Sequence, residues 1–109
     1  MSAYVSAMTV SKAELNAMVR EAIVDAHDHE EALMGFCSLI EENLAVPFAT
    51  TVLGVNVTVD AIIQSSDGHL VAECSRGAAR QVIGLLDLPL PEPAPVGAEW
   101  IEAYRHWSR

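Results

Sequence analysis

The hydrophobic pattern changes period once along the chain, and the change falls at Pro47. Before it, apolar residues recur at helical spacing: Leu15, Met18, Val19, Ala22, Ile23 and Ala26, then Leu33, Met34, Phe36, Cys37, Ile40 and Leu44. After it, residues 50 to 64 are rich in Val, Ile and Thr, and Val55, Val57, Val59, Ala61 and Ile63 alternate with Asn56, Thr58, Asp60 and Ile62. A helical half followed by a strand half predicts an α+β fold rather than alternating βαβ units. With 109 residues there is room for one domain and one modest core.

Local signals divide these halves further. Ser11-Lys12-Ala13-Glu14 is a capping box, in which the serine oxygen accepts a backbone N–H and the glutamate returns to the serine N–H. A second box, Asp28-His29-Glu30-Glu31, starts where the first apolar stripe ends. Residues 11 to 45 are therefore expected to form two helices meeting near residues 26 to 28, with residues 1 to 10 a flexible tail. Gly54 marks a bulge or sharp bend in the first strand segment. Ser65-Ser66-Asp67-Gly68 is a hairpin turn leading to a strand at residues 69 to 74, and Arg76-Gly77 turns the chain into another at residues 79 to 84.

Strands within residues 49 to 88 would form a small antiparallel SH3-like β-barrel, with the helical pair packed on it. Pro89, Pro91, Pro93 and Pro95 make residues 89 to 97 an extended strap, since proline has no N–H for helix or ladder. A terminal helix over residues 98 to 107 follows, carrying Trp100, Ile101, Tyr104 and Trp107. These aromatics either dock the helix on the core or offer a face to a partner.

Charge narrows the functional classes. Asp and Glu number 15 against 6 Lys and Arg, a formal net charge of -9. That balance argues against nucleic acid and anionic membrane surfaces, which need clustered Lys and Arg. It favours a divalent cation or a basic protein partner. No apolar run approaches the roughly 18 residues of a membrane span, and the N-terminus lacks the pattern of a signal peptide, so the expected location is cytoplasmic. Cys37 and Cys74 form no CxxC and read as small buried hydrophobes rather than a disulfide or zinc site. No GxSxG, phosphate loop or HExxH is present, so the chain does not read as an enzyme.

Between Arg20 and Arg76 there is no Lys or Arg, while ten acids fall in that window. Helix faces ordinarily interleave opposite charges, because like charges at i,i+4 repel. Asp25, Asp28, Glu30 and Glu31 crowd the junction of the two helices, with Glu21 one turn before Asp25. A hard cation such as Ca²⁺, which takes about six to eight oxygens in flexible geometry, would supply the missing charge. The EF-hand pattern has no match. His27 and His29 complete a His-Asp-His-Glu run that suits Zn²⁺, Ni²⁺ or Cu²⁺ only if the two imidazoles converge. The bland alternative is a solvated acidic surface whose Asp28 and Glu31 merely cap a helix.

The stretch Ile23-Val24-Asp25-Ala26-His27-Asp28-His29-Glu30-Glu31-Ala32-Leu33-Met34-Gly35-Phe36, followed by Leu39-Ile40-Glu41-Glu42-Asn43-Leu44 and Val46-Pro47-Phe48, resembles the small acidic calcium-binding proteins first described in cyanobacteria. Leu85-Leu86-Asp87-Leu88 and residues 99 to 107 look like a bacterial branch carrying the same calcium-binding label. The resemblance implies calcium binding through surface carboxylates outside any EF-hand, as a cytoplasmic buffer or signal component. Its acidic run maps onto Asp25, Asp28, Glu30 and Glu31. His27 stands where that family tends to have an aromatic and His29 where an acid is common, which implies weaker binding.

Overall fold

The computed structural model describes residues 10–108, so the tail expected over residues 1 to 10 lies almost wholly outside the described residues. Three helices and four strands follow in the order α1 (Lys12–Ile23), α2 (His29–Asn43), β1 (Phe48–Val52), β2 (Val55–Gln64), β3 (Leu70–Arg76), β4 (Ala79–Gly84) and α3 (Ala98–Ser108). Both capping signals operate. The Ser11 hydroxyl accepts from Glu14 N–H at 3.1 Å, and Glu14 Oε1 accepts from Ser11 N–H at 3.1 Å. The Ser11 N–H on the carboxylate, and next the Ser11 hydroxyl beside it, hold the Glu14 carboxyl below its ordinary value. Asp28 is the N-cap of α2, so the chain does break into two helices at the second box.

The strands form an antiparallel meander in the order β1-β2-β3-β4. Gly54 is not a bulge within one strand. Leu53 and Gly54, both at positive φ (50° and 79°), are the two-residue turn between β1 and β2, the handedness that matches twisted strands. The irregularity sits instead at Asp60, where the β2–β3 register shifts between Val59 and Ala61. That extra residue reverses the inward alternation. Val59 and Ile62 are both buried, so Ile62, expected on the polar side, enters the core.

The expected closed barrel does not form: the sheet is open, β4 pairing with β3 and β1 with β2. Closure would need β4 to continue round to β1. Instead β4 ends at Gly84, and Asp87 N–H bonds Gly84 O at 2.9 Å in a turn that drives Leu85 and Leu88 into the core. The proline strap then meets β1, with Thr50 Oγ1 donating to Pro89 O at 2.7 Å. Lacking N–H groups at Pro89 and Pro91, it lies against the strand without extending the ladder.

Leu33, Phe36 and Ile40 of α2 pack with Val59, Ile62, Leu70, Ala72 and Cys74 of the sheet and with Trp100, Ile101 and Tyr104 of α3. The aromatics of α3 thus dock it on the core. Arg105 holds the helix to the 85–88 turn, donating to Leu85 O at 3.1 and 3.0 Å and to Leu88 O, while pairing with Glu102 at 3.1 Å. Tyr104 is buried, and its hydroxyl accepts the Leu70 N–H at 3.2 Å. Tyr104→Phe strands that donor without changing shape much and should lower stability by about 1–3 kcal/mol, read as a shifted urea midpoint with unchanged slope.

Candidate metal centre at the junction of α1 and α2

The acidic junction is built by one close helix approach. Gly35 of α2 lies against the C-terminal turn of α1, so close that a Cβ there would overlap the Ala22 carbonyl oxygen. The chain then crosses from α1 to α2 in residues 24–28. Ala26 N–H bonds Ile23 O at 2.9 Å, which closes the end of α1. Asp28, with extended backbone (φ -152°, ψ 179°), accepts the Glu31 N–H on Oδ1 at 2.9 Å. Glu31 reaches back past the cap, and its Oε1 accepts the His27 N–H at 2.6 Å. The five-residue connection, counted as 24 to 28, is far shorter than the EF-hand loop of about 12 residues.

An open cleft of about 480 Å³ results, lined by Glu21, Asp25, His27 and Glu31 together with Val24 and Met34. Glu21, Asp25 and Glu31 therefore share one concavity, whereas Asp28 and Glu30 are not part of its lining. All five acids are exposed. As placed, no group of three or more His, Cys, Asp or Glu among the described residues stands together in a way that would hold a metal ion. Asp28 and Glu31 each give one oxygen to helix capping and keep a second oxygen free. The donor set nevertheless fits a hard cation, because every acid here is an exposed oxygen ligand able to turn without unpacking the core.

Countercharge is missing in space as well as in sequence. Among the described residues the one ion pair is Arg105–Glu102, and it lies on α3. The acids of residues 21 to 75 have no cationic partner there.

Soft-metal and thiol chemistry finds no support. The two histidines part: His27 lines the acidic cleft, while His29 stacks on Trp107 (centroids 5.2 Å, planes 21° apart) and faces a different hollow. Burial, and next the Glu41 carboxylate, pushes the Cys37 thiol up; burial and then Asp60 do the same to Cys74. Both thiols are protonated near neutrality, which disfavours them as nucleophiles or zinc ligands.

Of the acids singled out in the sequence, Asp25, Glu31 and Glu21 line the cleft, and two of its features were not read from the sequence. Gly35 creates the cleft by permitting close approach, and nothing in the sequence marks it beyond a glycine inside a helix. Val24 and Met34, 74% and 56% exposed, give the cleft an apolar rim.

No family model matches the sequence, and no curated protein sequence matches it significantly. Solved structures do share the fold. One described as a calcium binding protein in the calcium-binding form superposes with a TM-score of 0.70, covering 98% of this chain and 95% of its own, at 19% identity. The crystal structure of Anabaena CcbP gives a TM-score of 0.67 over 91% of this chain and 92% of its own, also at 19% identity. At that identity the likeness is one of fold, and it spans nearly the whole chain.

Proposed function

We propose that this protein binds Ca²⁺ through surface carboxylates outside any EF-hand, acting in the cytoplasm as a buffer or signal component rather than as an enzyme. The observation that carries the reading is the acid-lined cleft at the α1–α2 junction, with no cation of the protein's own paired to it. The fold shared with a protein solved in its calcium-binding form supports it. Asp25 and Glu31 would contribute from the cleft, with Glu21 beside them; Asp28, through its free oxygen, and Glu30 would complete the set. Bringing these side chains together costs rotamer entropy and mutual repulsion, so the affinity is modest. Mg²⁺, which demands near-octahedral geometry and dehydrates reluctantly, suits this irregular set less well.

Calorimetric titration of Ca²⁺ and Mg²⁺ into metal-free protein at physiological salt tests the reading. Saturable Ca²⁺ binding should be weakened at least about tenfold in Asp25→Asn/Asp28→Asn. Absence of heat and of any thermal stabilisation in millimolar Ca²⁺ would sink it, since a ligand selective for the native state must raise stability.

A second reading has its own observation. The exposed Val24 and Met34 beside the acids would suit a basic, amphipathic protein segment bound with no metal at all. Capture of basic proteins in Ca²⁺-free buffer, lost at high salt, would favour that alternative.

A further inference from the structure

The core face of the sheet runs on past the helices that cover it. Residues opposite each other, and every second residue along a strand, share a face. Val59 pairs with Cys74 and Cys74 with Gln81, and this row faces the core. Two residues along each strand, Val57, Arg76 and Ala79 therefore lie on the same face, with Val55 beyond them. Burial falls along that line: Val59 and Cys74 are buried, Val57 is half-buried, and Val55 is 42% exposed. What is left uncovered is a groove of about 350 Å³, floored by Val52, Val55, Val57, Cys74 and Ile83. Its size is at the small end of ligand pockets, which begin near about 300 Å³. Leu53 lines it too, 98% exposed at φ 50°, a left-handed turn position that Asn, Asp or Gly ordinarily fills. A leucine there gives nothing to the core.

Two arginines border this apolar floor. Arg76 shares its face, and Arg80, opposite Ser75 on the other face, lines the groove from β4. Arg76 Nη1 donates to Asn56 O at 3.2 Å, which holds the guanidinium beside β2. Among the described residues neither arginine is paired with a carboxylate. We propose that the groove binds a medium-chain amphiphilic carboxylate, its alkyl chain on the valine floor and its carboxylate on Arg76 and Arg80. Charge selects this occupant. The arginines repel a cation, and a wholly apolar ligand leaves their N–H groups without an acceptor. An acidic protein, an anionic membrane surface or a second copy of this chain would set many negative charges against the net charge of -9, whereas a monocarboxylate brings one. The groove is separate from the calcium cleft, since no residue lines both.

Amide-resolved NMR titration of the metal-free full chain with octanoate, into the low millimolar range at neutral pH, tests the site. Resonances of residues 52 to 57 and 74 to 83 should shift together and saturate. From hexanoate to octanoate, each added methylene should tighten binding about two- to fourfold. Octan-1-ol, with the chain but not the charge, should bind at least about tenfold more weakly than octanoate. Arg76→Gln/Arg80→Gln should bring octanoate down to the affinity of octan-1-ol and leave octan-1-ol itself unchanged. Leu53→Gly, which removes the exposed side chain and suits the left-handed backbone, should weaken both ligands without loss of thermal stability. Absence of a saturable shift, or saturation elsewhere on the molecule, overturns the proposal. So does octanoate binding no tighter than octan-1-ol, or binding indifferent to the two arginine substitutions. A dimer in sedimentation equilibrium that Leu53→Gly dissociates overturns it as well, because a second copy then occupies the face.

Discussion

Gly97→Ala is expected to destabilise the protein by about 3–4 kcal/mol, enough to lower a urea unfolding midpoint by about 1 M or more. Gly97 sits at φ +90°, a region that L side chains rarely adopt. A Cβ there would overlap the Asn43 carbonyl and lie 2.6 Å from Leu44 Cα, and all of these are backbone atoms that cannot swing aside. The strap and the end of α2 are tied at the same place, Ala45 N–H bonding Val96 O at 2.8 Å. Relieving the overlap therefore means moving the start of α3, which carries the buried Trp100, Ile101 and Tyr104. Gly54→Ala is the internal control. It has a similar φ of +79° but nothing within 4 Å, so its loss reports backbone strain alone and should be about 1 kcal/mol.

Gly35→Ala should cost about 2–3 kcal/mol and, unlike Gly97→Ala, should also weaken Ca²⁺ binding at least about tenfold. Its new methyl meets the Ala22 carbonyl oxygen, so α1 and α2 must separate. Separation widens the cleft in which Glu21 and Asp25 of one segment face Glu31 of the other. Calorimetry at a temperature where the variant remains folded distinguishes the two effects. A loss of stability with unchanged Ca²⁺ affinity would mean that the ligands come from one side of the junction only.

What the sequence revealed well was local. Ser11/Glu14 and Asp28/Glu31 act within four residues: the first capping box forms in full, and at the second Asp28 caps the helix while Glu31 reaches one residue further, to the His27 N–H. What it revealed poorly depends on partners distant along the chain. A glycine at positive φ serves a turn or a bulge equally, and only the pairing of Val52 with Val55 decides that Gly54 is a turn. Asp60 carries no mark of a bulge, yet the β3 register makes it one and sends Ile62 inward. Barrel or open sheet likewise turned on where the chain goes after Gly84. At the junction, crowding of acids was legible from spacing, together with the family resemblance over residues 23 to 48. That His29 would leave the acids for Trp107 was not, because the contact joins the start of α2 to the end of α3.

The most direct measurement is an amide-resolved NMR titration of the metal-free protein with Ca²⁺. Resonances of Glu21, Asp25, His27 and Glu31, with those of Asp28 and Glu30, should shift together and saturate, while those of β4 stay in place. Shifts that never saturate, or that saturate elsewhere on the molecule, would contradict a calcium site at the α1–α2 junction.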